Sequence, residues 1–120
     1  MNVDTAKLLA DIDSMDGHRF ASNLAADGVL RYANNPEVRG REAVAEAIDA
    51  FYATIGGLRH RPLNEWDVGD TTILQFEVTY TRLDGGEVTV PAVSIMRSGG
   101  DLIDEYRIYV DLAPLYAPAQ

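Results

Sequence analysis

Residues 102–111 read LIDEYRIYVD, and this stretch decides the fold. Tyr106, Ile108 and Val110 alternate with Glu105, Arg107, Tyr109 and Asp111, so a two-residue period separates an apolar set from a polar one. Side chains of a strand point to opposite faces with that period. The stretch is expected to close a sheet that buries one face, and that face is expected to form a wall of an apolar pocket.

Upstream, the same period holds from Leu58 onward. Residues 58–68 set Leu58, His60, Trp66 and Val68 against Arg59, Arg61, Glu65 and Asp67. Residues 72–83 set Phe76, Val78 and Tyr80 against Gln75, Glu77, Thr79 and Thr81. Residues 87–96 are apolar on both faces, with Val88, Val90, Ala92 and Met96 against Val93 and Ile95. That pattern predicts a central strand covered on both sides, a partner subunit being one candidate cover. Gly69-Asp70, Asp84-Gly85-Gly86 and Ser98-Gly99-Gly100 are the turns between these strands. Pro91 lacks the N–H that a ladder needs, so a bulge is expected there.

Before Leu58 the period is helical. Ala6, Leu9 and Ile12 define a helix over residues 5–12, and Phe20 and Leu24 a second over residues 18–26, with Asp4 and Ser14 as N-caps. Residues 29–32 form a short strand entering the Asn34-Asn35-Pro36 turn. Gly40-Arg41-Glu42 opens a third helix with Val44, Ala47, Ile48, Phe51 and Ile55 on one face, and Gly56-Gly57 ends it. Helices first and strands second predict an α+β fold with helices packed on one face of an antiparallel sheet. Residues 114–118, with two prolines, are expected to be a partly ordered tail.

Composition narrows the function. The chain has 120 residues, a size expected of one domain, and 47% of them are hydrophobic, enough to fill a core. A net charge of −9 with ten scattered Lys and Arg argues against nucleic acid as a partner. With no cysteine and only His18 and His60, neither disulfides nor a zinc site is expected. The first residues carry no basic leader and no segment is long and apolar enough to span a bilayer, so no membrane partner and a cytoplasmic location are expected.

Three hairpins after three helices, and the words YANNP, GREAV, YTRLDGG and LIDEYRIYVD in this order, resemble the SnoaL-like group of the nuclear-transport-factor-2-like superfamily. The resemblance runs from about Ala6 to Pro114. It implies a cone-shaped α+β fold whose curved, mostly antiparallel sheet wraps around a pocket, and a homodimer formed through the outer sheet face. It also implies a small apolar ligand and no cofactor.

Limonene-epoxide-hydrolase-like relatives use an Arg-x-Asp pair in mid-strand, a second Asp on the last strand and a Tyr-x-Asn pair. Tyr32-x-Asn34 matches the last of these. Arg82-x-Asp84 abuts the turn, and registering its strand on Glu77 puts Val78 and Tyr80 at the catalytic positions and Ile108 at the last-strand carboxylate. Ketosteroid-isomerase-like relatives use carboxyls where this chain has Asn35 and, approximately, Val93. Neither set of acids carries over, so neither mechanism is expected.

The candidate catalytic groups are then His60, a general base able to work near neutral pH, and Tyr80 and Tyr106, whose hydroxyls suit a developing oxyanion. A packed core role is the alternative for each. The expected pocket adds Tyr32, Asn34, Phe51, Trp66, Phe76, Val78, Val93, Ile95 and Ile108, around a closed cavity of drug-like size. Arg82 and Asp84 are expected to pair at a hairpin tip. The bound molecule is expected to be a mostly apolar carbonyl compound, isomerised, cyclised or hydrated, or only bound.

Overall fold

Long alternating stretches must pair side by side to satisfy their backbones, and in this protein they do so in one sheet. The computed structural model describes residues 3–118. The described strands are β1 (Leu24–Tyr32), β2 (Val38–Arg39), β3 (Ile55–Val68), β4 (Thr71–Arg82), β5 (Glu87–Ser98) and β6 (Ile103–Val110), in the order β2-β1-β6-β5-β4-β3. Every pairing is antiparallel except β1 with β6. The helices are α1 (Thr5–Asp13), α2 (Gly17–Ala21), α3 (Arg41–Tyr52) and a short α4 (Ala113–Tyr116).

The sheet buries one face under α1, α2 and α3. On β4 every second residue from Thr72 to Tyr80 is buried, and on β5 every second residue from Val90 to Ser98. With Leu8, Leu9 and Ile12 of α1, Phe20 of α2, and Val44 and Ile48 of α3, these residues form the core. Ala6 of α1 is exposed, so the buried stripe of that helix runs through Leu8, Leu9 and Ile12. Among the described residues no helix is long and apolar enough to cross a membrane.

Several boundaries differ from the sequence reading. Asp16, not Ser14, caps α2 by accepting from the His18 and Arg19 N–H groups, and α2 ends at Ala21 because residues from Leu24 on pair with β6. Helix α3 ends at Tyr52, and Ile55, Gly56 and Gly57 already belong to β3, where Gly56 lies against the Arg82 backbone. The turn after β1 places its positive φ on Ala33 (54°) rather than on either asparagine. Pro91 sits opposite Glu77 with no register shift, and pairing with β6 starts only at Ala92, so its missing N–H costs no ladder bond and no bulge forms. Residues 113–116 are a helical turn with Leu115 buried rather than a loose tail.

One of the two register shifts along β3 lies in mid-strand, where Pro62 pairs with Phe76 but Asn64 pairs with Gln75. The extra residue, Leu63, inverts the alternation beyond it. Glu65 and Asp67 thus come to the inner side, opposite Leu74 and Thr72, and Trp66 to the outer side opposite Ile73. Asp67 accepts from Thr72 Oγ1 at 2.8 Å, and Glu65 from Thr5 Oγ1 at 2.6 Å, so both carboxylates find partners there.

Helices α1 and α2 are tied by Asp11, which is 7% exposed. It accepts from Lys7 Nζ at 2.7 Å and from Asn23 Nδ2 at 3.0 Å. The Lys7 bond, joined by Asn23 and Arg19, holds its carboxyl below the ordinary value of 3.8. The folded state thus favours the ionised form, and that stabilisation is complete above 3.8 and lost as pH falls through the lower folded value. Asp11→Asn is expected to lower stability at neutral pH and to flatten the acid limb, read from urea midpoints down to below that value.

Candidate functional site

The C-terminus of α1 brings the first polar group to the sheet. Asp13 Oδ1 lies 2.6 Å from His60 Nδ1, and its Oδ2 accepts the His60 backbone N–H at 3.2 Å. One carboxylate thus holds both the strand and the ring. A carboxylate only accepts, so Nδ1 carries a proton toward Asp13 and Nε2 is the ring nitrogen not engaged by that pair. The His60 side chain is 7% exposed and its ring lies 5.1 Å from that of Phe76. Tyr52 fixes the helix end by donating to the Ile12 carbonyl at 2.8 Å.

His60 lines a partly open cavity of about 50 Å³ between helices and sheet. Its lining includes Phe20, Phe51, Phe76, Val78, Tyr80, Tyr106 and Ile108. Apolar walls make a charge expensive, and burial pushes the Tyr80 and Tyr106 phenols well above their ordinary 10.0, so both stay protonated and able to donate. Among the described residues the hydroxyls of Tyr80 and Tyr32 have no hydrogen-bond partner, while Ser94 offsets part of the effect of burial on Tyr106. Tyr106 stacks on Phe20, centroids 5.7 Å apart.

Tyr32, Phe51, Val110 and Leu112 separate this cavity from, and share it with, an outer groove of about 830 Å³. Asn34, Thr54, Asp111 and Tyr116 supply polar groups to the groove. Helix α4 runs along its edge, held by Arg82 Nη1 donating to the Leu115 carbonyl at 2.9 Å and by a 3.0 Å contact between the Tyr116 and Thr54 hydroxyls. Arg82 also pairs with Asp84 at 3.3 Å, so this couple is spent on a hairpin tip and on α4.

The structure brings His60, Tyr80, Tyr106, Tyr32, Phe51, Phe76, Val78 and Ile108 to one cavity. Four expected pocket residues lie elsewhere. Trp66 is 49% exposed on the outer sheet face, because the Leu63 bulge turns it over. Val93 and Ile95 also face outward, since the alternation of β5 buries Ala92, Ser94 and Met96 instead. Asn34 lines the groove and not the cavity. The inner cavity is also far below the few hundred cubic ångströms typical of drug-sized sites, roughly 300 or more, whereas the adjoining groove exceeds that size.

Sequence reasoning missed Asp13 and Ser94. Asp13 continues the buried α1 stripe one turn past Leu9, and Ser94 interrupts the apolar face of β5 between Ala92 and Met96. In each case the signal was a polar residue in an apolar register. Among the described residues no group of three or more His, Cys, Asp or Glu is arranged to hold a metal ion.

The profile of the SnoaL-like domain family matches residues 6–106. The chain belongs to this family. No curated protein matches the sequence, but solved structures share the fold of this SnoaL-like domain. A ketosteroid-isomerase-like protein from Catenulispora acidiphila, in complex with trimethylamine, has TM-score 0.85 at 18% identity, over 92% of this chain and 87% of its own. A protein described as a SnoaL-like polyketide cyclase, from Jannaschia sp. CCS1, has TM-score 0.76 at 18% identity, over 96% and 92%. An LEH-like epoxide hydrolase from M. tuberculosis has TM-score 0.76 at 13% identity, over 93% and 83%.

The SnoaL-like domain positions its one buried histidine through α1, and α1 through Tyr52. Tyr52→Phe is expected to cost about 0.5–1.5 kcal/mol, the net worth of one hydrogen bond, because the Ile12 carbonyl keeps the Met15 N–H as a donor. Chemical denaturation reads the loss.

Proposed function

We propose that the protein binds a small, mostly apolar carbonyl compound across the groove and inner cavity, and that His60 acts on it as a general base. The observation that carries this reading is the Asp13–His60 pair, at 2.6 Å, opening onto a mostly apolar cavity whose lining includes the Tyr80 and Tyr106 phenols. His60 Nε2 takes a proton from the carbon next to the carbonyl. The C–H electron pair becomes a C=C bond and the carbonyl π pair moves to oxygen, which Tyr80 or Tyr106 stabilises by hydrogen bonding. Asp13 offsets the imidazolium charge, and return of the proton at a conjugated carbon completes an isomerisation. The trimethylamine complex of the Catenulispora protein supports small organic ligands for this fold.

A binding module without chemistry is the second reading. Val78, Tyr80 and Ile108 stand where the related epoxide hydrolases carry acid or base groups, and the cavity of about 50 Å³ admits little more than one functional group. A thermal-shift screen of ketones, epoxides and lactones, followed by turnover assays on the hits, separates the two. Turnover of a ketone that falls about a hundredfold or more in His60→Ala, with binding retained, supports catalysis. Full turnover in His60→Ala removes this residue from the mechanism, and binding without turnover across the panel leaves the module.

The reading includes a homodimer formed through the outer sheet face. Trp66, Ile73 and Ile95 form a cross-strand row there, beside Val93 and Tyr109, with Trp66 and Tyr109 49% and 56% exposed. Around them Arg59–Glu87, Arg61–Glu77 and Arg97–Glu105 present both signs, as a face that meets its own copy requires. Trp66→Asp combined with Ile95→Asp is expected to give a folded monomer by light scattering, and a wild type that is monomeric at high concentration would remove the dimer.

A further inference from the structure

We infer that the α4 side of the groove is an acceptor subsite, which takes a hydrogen-bond donor, a hydroxyl or an amine, on the outer end of a ligand whose carbonyl points toward the inner cavity. This deepens, and rests on, the reading of groove and cavity as a site for a carbonyl compound.

Three residues supply the polar groups of that side. Thr54 lies between α3 and β3, Asp111 follows β6, Tyr116 ends α4, and all three line the groove. Thr54 has one hydroxyl proton and donates it to the Phe51 carbonyl at 2.7 Å. A carbonyl only accepts, so that proton is committed. In the 3.0 Å contact between the Thr54 and Tyr116 hydroxyls, Tyr116 is therefore the donor. With its proton spent, the phenol oxygen offers a lone pair and nothing else.

Asp111 adds a second acceptor. Its Oδ1 takes the Ala113 N–H at 3.0 Å, and among the described residues no Lys, Arg or His pairs with the carboxylate. It is the one charged residue of the groove lining, which holds no Lys or Arg, so an anionic ligand is repelled there. Asn34 also lines the groove, but its amide both donates and accepts and does not discriminate.

Donors stand at the other end. Tyr32 is shared by groove and cavity and Tyr80 lines the cavity, both hydroxyls without partners among the described residues. Burial holds both phenols protonated, and Tyr116 is near enough to reinforce that effect on each, so the two ends lie within reach of one small molecule. The groove of about 830 Å³ accommodates a ring system between them, which the cavity of about 50 Å³ does not. Arg82 on the Leu115 carbonyl and the burial of Leu115 keep α4 in place.

The test uses the full chain and four probes on one ring system: 1-indanone and its 5-hydroxy, 5-methoxy and 5-amino derivatives, with affinities read by ligand-observed NMR. Wild type is expected to bind the hydroxy probe about tenfold more tightly than the methoxy probe, which keeps the oxygen and loses the proton. Tyr116→Phe alters a side chain that is 52% exposed, so the fold tolerates it, and is expected to bring these two probes to similar affinity. Thr54→Val frees the Tyr116 proton for donation and is expected to improve the methoxy probe several-fold, a gain that a merely structural role does not produce. Tighter binding of the amino probe than of the hydroxy probe assigns an amine to the subsite, the reverse order assigns a hydroxyl, and either order supports it when the methoxy probe is weaker than both. Equal wild-type affinity for the hydroxy and methoxy probes, or a preference undiminished in Tyr116→Phe, overturns the subsite while leaving the pocket in place. Failure of wild type to bind any of the four overturns the pocket reading and the subsite together.

Discussion

A strand presents its side chains to two faces in strict turn, and this sheet can bury only one of them. The core, the cavity and the exposed outer face all follow from which residues that rule sends inward. On β4 the inward set is Thr72, Leu74, Phe76, Val78 and Tyr80, and on β5 it ends Ala92, Ser94, Met96 and Ser98. A one-residue insertion is the strongest perturbation such a system can suffer, and Leu63 is that insertion. It leaves Leu58 and His60 facing in while turning Trp66 out, so one strand serves the cavity at its start and the outer face at its end. An expectation drawn from unbroken alternation was right for His60 and wrong for Trp66 for this single reason.

The helices matter to the site chiefly as levers. Helix α1 lies along β3 and touches it at both ends, through Thr5 and Glu65 and through Asp13 and His60. Tyr52 of α3 anchors the C-terminal end of α1, and Asp11 ties the same helix to α2. Each contact is ordinary in strength, but together they fix a carboxylate against one ring nitrogen. That contact leaves the other ring nitrogen on the cavity side, and among the described residues His60 is the imidazole in the cavity lining.

The family relationship and the geometry carry different weights. Membership of the SnoaL-like domain family and a TM-score of 0.85 to a ketosteroid-isomerase-like protein establish the architecture. At 18% identity they leave the chemistry to the site. In that site a histidine of β3 and an aspartate of α1 form the pair that meets the cavity.

The sequence by itself determined the class of fold, the hairpin order, the third helix and about half of the cavity wall, because local periodicity and turn residues encode these directly. Tyr80, Tyr106, Phe76 and Ile108 were legible as wall residues from alternation alone. Contacts between residues distant in the chain had no such signature. Asp13 and His60 lie 47 residues apart, and nothing in either local pattern names the other. The outward turn of Trp66, the outer placement of Val93 and Ile95 and the small size of the cavity were likewise decided only when the sheet closed against the helices. Register across strands and the volume left between layers are properties of packing, which no window of sequence contains.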